Sequence, residues 1–107
     1  MIETLAGREK GFEAEFARNE ELAFRLTARR NRLFGLWVAE RLELPAVESS
    51  AYAAAAASAA LDAQSEEDFI RKILADLTAR GLDIREAELR RELARAADTA
   101  RQEIFGA

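Results

Sequence analysis

Along the first 18 residues, Ile2, Leu5, Phe12 and Phe16 fall within about a quarter-turn of one another at ~100° per residue, the signature of a short amphipathic helix. Gly7 and Gly11 interrupt the stripe, each costing ~1 kcal/mol relative to Ala, and a helix this short is marginal in water. The expectation is an N-terminal arm, residues 1–18, largely disordered when alone. Residues 19–44 read as the longest helix and carry two apolar stripes. One is Leu22, Leu26, Leu33, Leu36, Trp37 and Leu44; the other is Phe24, Phe34, Val38 and Leu42. A helix with two apolar faces is either central in a bundle or spends one face on a partner.

Pro45 cannot continue that helix but suits the first turn of the next, expected over 46–62. Its only large apolar residues are Val47, Tyr52 and Leu61. The run Ala53–Ala57 permits close backbone approach and contributes little burial, so this is the weakest helix of the set. Ser65 before Glu66, Glu67 and Asp68 marks a capped start with acids at the positive end of the dipole. Phe69, Ile70, Ile73, Leu74 and Leu77 then form a core stripe, closed by a left-handed cap at Gly81. Asp83 and Glu86 have capping-box spacing, ahead of Leu89, Leu93, Ala96, Ala97, Ala100 and Ile104, which carry the last helix to about Phe105. The fold class is all-α: a four-helix bundle over 19–107 with a mobile N-terminal arm.

Composition narrows the chemistry. With 107 residues there is room for one domain, and because 24 of them are Ala the 50% hydrophobic content overstates the core. The absence of Cys and His excludes disulfides, thiol nucleophiles, imidazole bases and metal sites built on either side chain; neither a metal nor another cofactor is expected. A net charge of −4 with both signs interspersed argues against nucleic acid and for a protein partner. The longest uncharged stretch, Ser49–Leu61, is 13 residues and mostly Ala, too short for direct membrane insertion. No signal-type segment opens the chain, so the expected location is cytoplasmic.

Three constellations invite a functional reading. Arg25, Arg29, Arg30 and Arg32 make a basic cluster on the long helix. Its ordinary explanation is an ion-paired surface with Glu21; its sharper one is a phosphate or nucleotide contact through Arg29, Arg30 and Arg32. Glu66, Glu67 and Asp68 diverge by ~100° each and cannot chelate one ion unaided, so they serve the helix dipole. The arm is the third. Phe12 and Phe16 either fold back on the bundle or anchor a helix that forms in a partner's groove, rimmed by Arg8, Glu9, Lys10 and Glu13, with ordering costing ~2–5 kcal/mol.

The runs Arg8-Glu9-Lys10-Gly11-Phe12-Glu13-Ala14-Glu15-Phe16-Ala17, Glu20-Glu21 and Ala28-Arg29-Arg30-Asn31-Arg32-Leu33-Phe34-Gly35-Leu36-Trp37 resemble the zeta-subunit inhibitor family of alphaproteobacterial F-type ATP synthases. The resemblance continues through Phe69–Ala79 and the last helix. It implies a non-catalytic inhibitor of ATP hydrolysis, held at the cytoplasmic face of the inner membrane through the synthase. Its arm would wedge as a helix between the alpha, beta and gamma subunits of the catalytic head. By position, Leu5 to Arg18, Glu15 included, would carry inhibition, the bundle would supply docking surface, and the Arg-Arg-Asn block would be scaffold or a secondary contact. Four positions depart from the pattern: Gly11 stands where Ala is common, Glu15 where a basic residue is common, Asn19 in place of Asp, and Glu43 in place of the Gly before Leu44. The alternative from another class is a helical bundle sensing a nucleotide through the arginines.

Overall fold

The computed structural model describes the backbone of residues 5–106 and the side chains of residues 18–106. Four helices follow in order, α1 Leu5–Arg41, α2 Ala46–Asp62, α3 Glu66–Ala79 and α4 Glu86–Phe105. The all-α expectation stands. One 37-residue helix runs through both the expected arm and the expected long helix, so Gly7 and Gly11 do not end it. The expectation of disorder in the isolated arm, and every contact assigned to its side chains up to Ala17, lies outside the described residues.

α1 stops at Arg41, three residues before the sequence reading placed its end. Leu44 N–H donates to the Ala39 carbonyl and Glu43 N–H to that of Glu40, a Schellman turn. Glu43 sits in the left-handed region at φ 57°, where a side chain is disfavoured. Gly81 occupies the same position after α3, at φ 84°, with Leu82 N–H donating to Leu77 and Gly81 N–H to Thr78, as its sequence predicts. α2 opens directly after Pro45, and the Ser49 hydroxyl donates back to the Leu44 carbonyl at 3.0 Å. Ser65 caps α3 as expected, accepting from Asp68 N–H at 3.0 Å. The box expected at Asp83 and Glu86 does not form: Arg85 is the N-cap of α4, without a side-chain bond. Ile84 is buried and Leu82 packs on the core, and the helix starts only after Arg85, whose backbone is extended.

The core is made mainly by α1, α3 and α4. Phe34 and Val38 of α1 meet Phe69, Ile70, Ile73 and Leu77 of α3 and Leu89 and Leu93 of α4. Phe34 and Phe69 cross edge to face with centroids 5.7 Å apart. Each large side chain buried in this way contributes ~1.5–3 kcal/mol, and α3 supplies four of them. α2 supplies none beyond the half-buried Tyr52: its buried residues are Ala53 and Ala56, while Val47 and Leu61 are exposed. What α2 offers instead is closeness. A Cβ placed on Gly35 of α1 would lie 2.9 Å from Ala53 Cα and 3.1 Å from Ala56 Cβ, so the backbones touch only because small residues face each other. The two stripes of α1 are thereby explained for its C-terminal half, which is central, with α2 on one flank and α4 on the other.

Candidate functional site

The site is built on α1 from its C-terminal half outward. Asn31, Phe34, Gly35, Val38 and Ala39 are buried, Leu26, Ala28 and Leu33 are intermediate, and Arg18–Arg25 are exposed apart from half-buried Leu22. α4 sets this limit. It runs antiparallel to α1, tied at one end by the Arg41–Glu88 pair and at the other by Glu103, which accepts from Nε and Nη2 of Arg29. A 20-residue helix clasped at Glu103 reaches little further along α1, which leaves residues 18–25 exposed apart from Leu22.

On the uncovered stretch Arg18 is exposed and Glu21 pairs with Arg25 at 2.7 Å, both side chains being open to water. An exposed i, i+4 pair of this kind contributes a few tenths of a kcal/mol and serves helicity. Phe24, in the second apolar stripe of the long helix, is 61% exposed.

The arginines expected to share an anion do not converge on one point. Arg29 is committed to Glu103 of α4, Arg30 reaches Glu66 of α3 at 3.5 Å, and Arg32 points to Ser50 of α2 at 3.5 Å. Pairing with Arg29 holds the Glu103 carboxyl below the ordinary carboxylate range, and the same bond raises Arg29. Arg30 also donates from Nε and Nη2 to Oδ1 of Asn31, at 3.0 and 2.9 Å, and Asn31 is the buried polar residue of the described core. Three guanidinium groups engaged by three different helices brace the bundle.

Glu66, Glu67 and Asp68 are likewise engaged, with Arg30, Arg71 and Lys72 respectively. The Lys72 pairing, joined by the Gln64 N–H, lowers the Asp68 carboxyl. Among the described residues no group of acidic side chains is arranged to hold a metal ion.

Two hollows remain. One of about 170 Å³ between α1 and α4 is lined by Leu33, Phe34, Trp37, Glu92, Arg95 and Ala96. Trp37 is half-buried there, stacked on Phe34 at 6.2 Å, with the Arg41 guanidinium 5.4 Å from its ring. The other, about 280 Å³ between α2 and α3, holds Tyr52, whose hydroxyl donates to Asp76 at 3.0 Å while Arg80 lies over its ring. Burial, followed by that bond to Asp76, pushes the Tyr52 phenol well above its ordinary range, so it stays protonated and structural. Neither hollow joins a nucleophile to a base.

Sequence reasoning missed Phe24, Leu61 and Phe105 as exposed apolar groups, because periodicity says which face of a helix is apolar and not how far along it a neighbour reaches. The length of α4 counted back from its turn is the signal that could have found them.

The described residues form a small helical bundle whose longest helix outruns its neighbours. The family model for ATPase inhibitor subunit zeta matches residues 2–103, arm and bundle together, and the chain belongs to that family. It is thus an inhibitor subunit of an ATPase. No individually curated protein matches the chain. Among the described residues no helix is long and apolar enough to cross a membrane.

Proposed function

We propose that this protein inhibits ATP hydrolysis by an F-type ATP synthase, inserting its N-terminal arm as a helix at the interface of the alpha, beta and gamma subunits of the catalytic head. The observation that carries the reading is that α1 leaves the bundle as a helix: residues 18–25, apart from half-buried Leu22, are exposed on the continuation of a helix whose next turns are packed. The family match begins at residue 2, so the arm belongs to the shared pattern.

In this reading Leu5, Phe12 and Phe16 supply the apolar face. Arg8, Glu9, Lys10, Glu13, Glu15 and Arg18 supply the polar rim. Phe16 and Phe34 are 18 residues apart, five helical turns, so on an unbroken helix Phe16 shares the face that the bundle covers at Phe34. The partner then extends along the arm the packing that α3 and α4 give further down. Inhibition is steric. The protein would sit at the cytoplasmic face of the inner membrane through the synthase. The nucleotide-sensor reading has no observation in its favour, since Arg29, Arg30 and Arg32 are spent on separate helices.

The test is ATP hydrolysis by the purified catalytic head of the same bacterium with increasing full-length protein, beside Phe12→Gln and Phe16→Gln variants and a chain lacking residues 1–18. Full-length protein should inhibit and the arm variants should lose potency. Equal inhibition by full-length and arm-deleted protein would sink the arm mechanism.

A further inference from the structure

Three of the four large apolar side chains that stand exposed among the described residues belong to one end of the bundle. Phe24, Leu61 and Phe105 are 61%, 61% and 59% exposed, and the fourth, Val47, is 83% exposed.

Topology places them. The turn at 42–45 sends α2 back along α1, with Gly35 against Ala53 and Ala56, so the path from Ala46 to Leu61 carries the chain ~22 Å back, to about the level of Leu26. α4 arrives at the same end from the other flank, with Glu103 on Arg29 and Phe105 beyond it. Val47 lies in the first turn of α2, at the opposite end. Half-buried Leu22, Leu26 and Ile104 extend the apolar surface at the first end. α1 emerges there, and Phe24 lies ~9 Å along it from Arg18, where the arm ends. Single exposed apolar residues are ordinary on a protein surface, but three set around the end of the bundle from which a helix projects mark an interaction face.

We propose that Phe24, Leu61 and Phe105 form a collar around the root of the arm, which seats on an apolar protein surface of the ATPase at the mouth of the cleft that takes the arm. This rests on the arm-insertion reading above, and continuity with the arm is what assigns the occupant. An arm that enters by its N-terminus draws this end of the bundle, and not the Val47 end, against the enzyme. Apolar contact made there slows dissociation after insertion.

The experiment compares the full chain with a triple variant, Phe24→Gln, Leu61→Gln and Phe105→Gln, and with Val47→Gln as control. Gln is neutral and a good helix former, so helicity and net charge are kept. The readouts are the concentration that half-inhibits hydrolysis, the dissociation rate from the immobilised catalytic head, and the thermal midpoint. The triple variant should need about tenfold more protein and leave about tenfold faster, with its midpoint unchanged, while Val47→Gln behaves as the parent. If the triple variant melts early, Phe105→Gln alone, at the last turn of α4, carries the test with a severalfold shift.

A triple variant as potent as the parent, while Phe12→Gln has lost inhibition, overturns the collar and leaves the arm mechanism intact. A parent chain that does not inhibit at all overturns both. Self-association of the parent that the triple variant abolishes assigns the collar to a second copy and overturns it as an ATPase contact.

Discussion

Residues 31–39 and 18–25 belong to one helix on one period, and they differ in what stands beside them. In the first stretch Phe34 and Val38 are fully buried among α3 and α4, and Gly35 touches the backbone of α2. In the second, Phe24 faces water although it is as apolar as Phe34. Amphipathicity alone does not separate structural from interaction surface in this protein; the reach of neighbouring helices does. The part of α1 that the bundle covers makes the domain, and the part it leaves bare is available to a partner.

Substitutions along α1 break or sharpen this contrast. Phe34→Ala should have the largest effect, removing ~3–5 kcal/mol of stability by opening a cavity against Phe69 and Trp37, read as a lower denaturation midpoint. Gly35→Val comes next: its side chain would meet Ala53 Cα, push α2 away and cost ~2–3 kcal/mol. Glu43→Gly acts in the opposite direction. Removing a side chain from φ 57° should raise stability by ~1 kcal/mol in chemical denaturation, because Gly adopts that conformation without strain.

The clasp between Arg29 and Glu103 marks the border between the two stretches, and it titrates. Glu103 has a lowered pKa in the folded state, so its contribution is present above the unfolded value of ~4.3 and lost as pH falls through the lower folded one. Melting below about pH 4 should therefore show a small stability loss that Glu103→Gln lacks, and salt should shrink it because the pair is partly exposed. Phe24→Ala is the smallest, within about 0.5 kcal/mol of the parent in stability. A loss as large as that of Phe34→Ala would contradict the division of α1.

Much of the fold was legible because it is written locally. Ser65 with its acids marks the start of α3, Phe69 to Leu77 mark its buried stripe, and Gly81 marks its end, each within a few residues of what it controls. The role of the Ala53 run as a close-approach surface was legible too; its counterpart Gly35 was not, because only the fold puts α2 there. The early end of α1 was hidden because a Glu, not a Gly, takes the left-handed position. Asp83 misled because Ile84 is drawn into the core and the helix starts only after Arg85. The arginine cluster is the clearest nonlocal case. Four basic residues within eight positions read as one feature, while their partners Glu21, Glu103, Glu66 and Ser50 come from four helices.

The division of α1 is tested most directly by amide hydrogen exchange across the full-length chain, alone and with the catalytic head of the ATPase in excess. Slow exchange in 31–39 should be present from the start and unchanged by the partner. Residues 18–25 should exchange fast in the free chain, and protection gained on binding should cover the arm through Arg25 and stop there on α1. Protection that appears at the Val47 end, or an exchange profile that the partner leaves unaltered before residue 26, would contradict it.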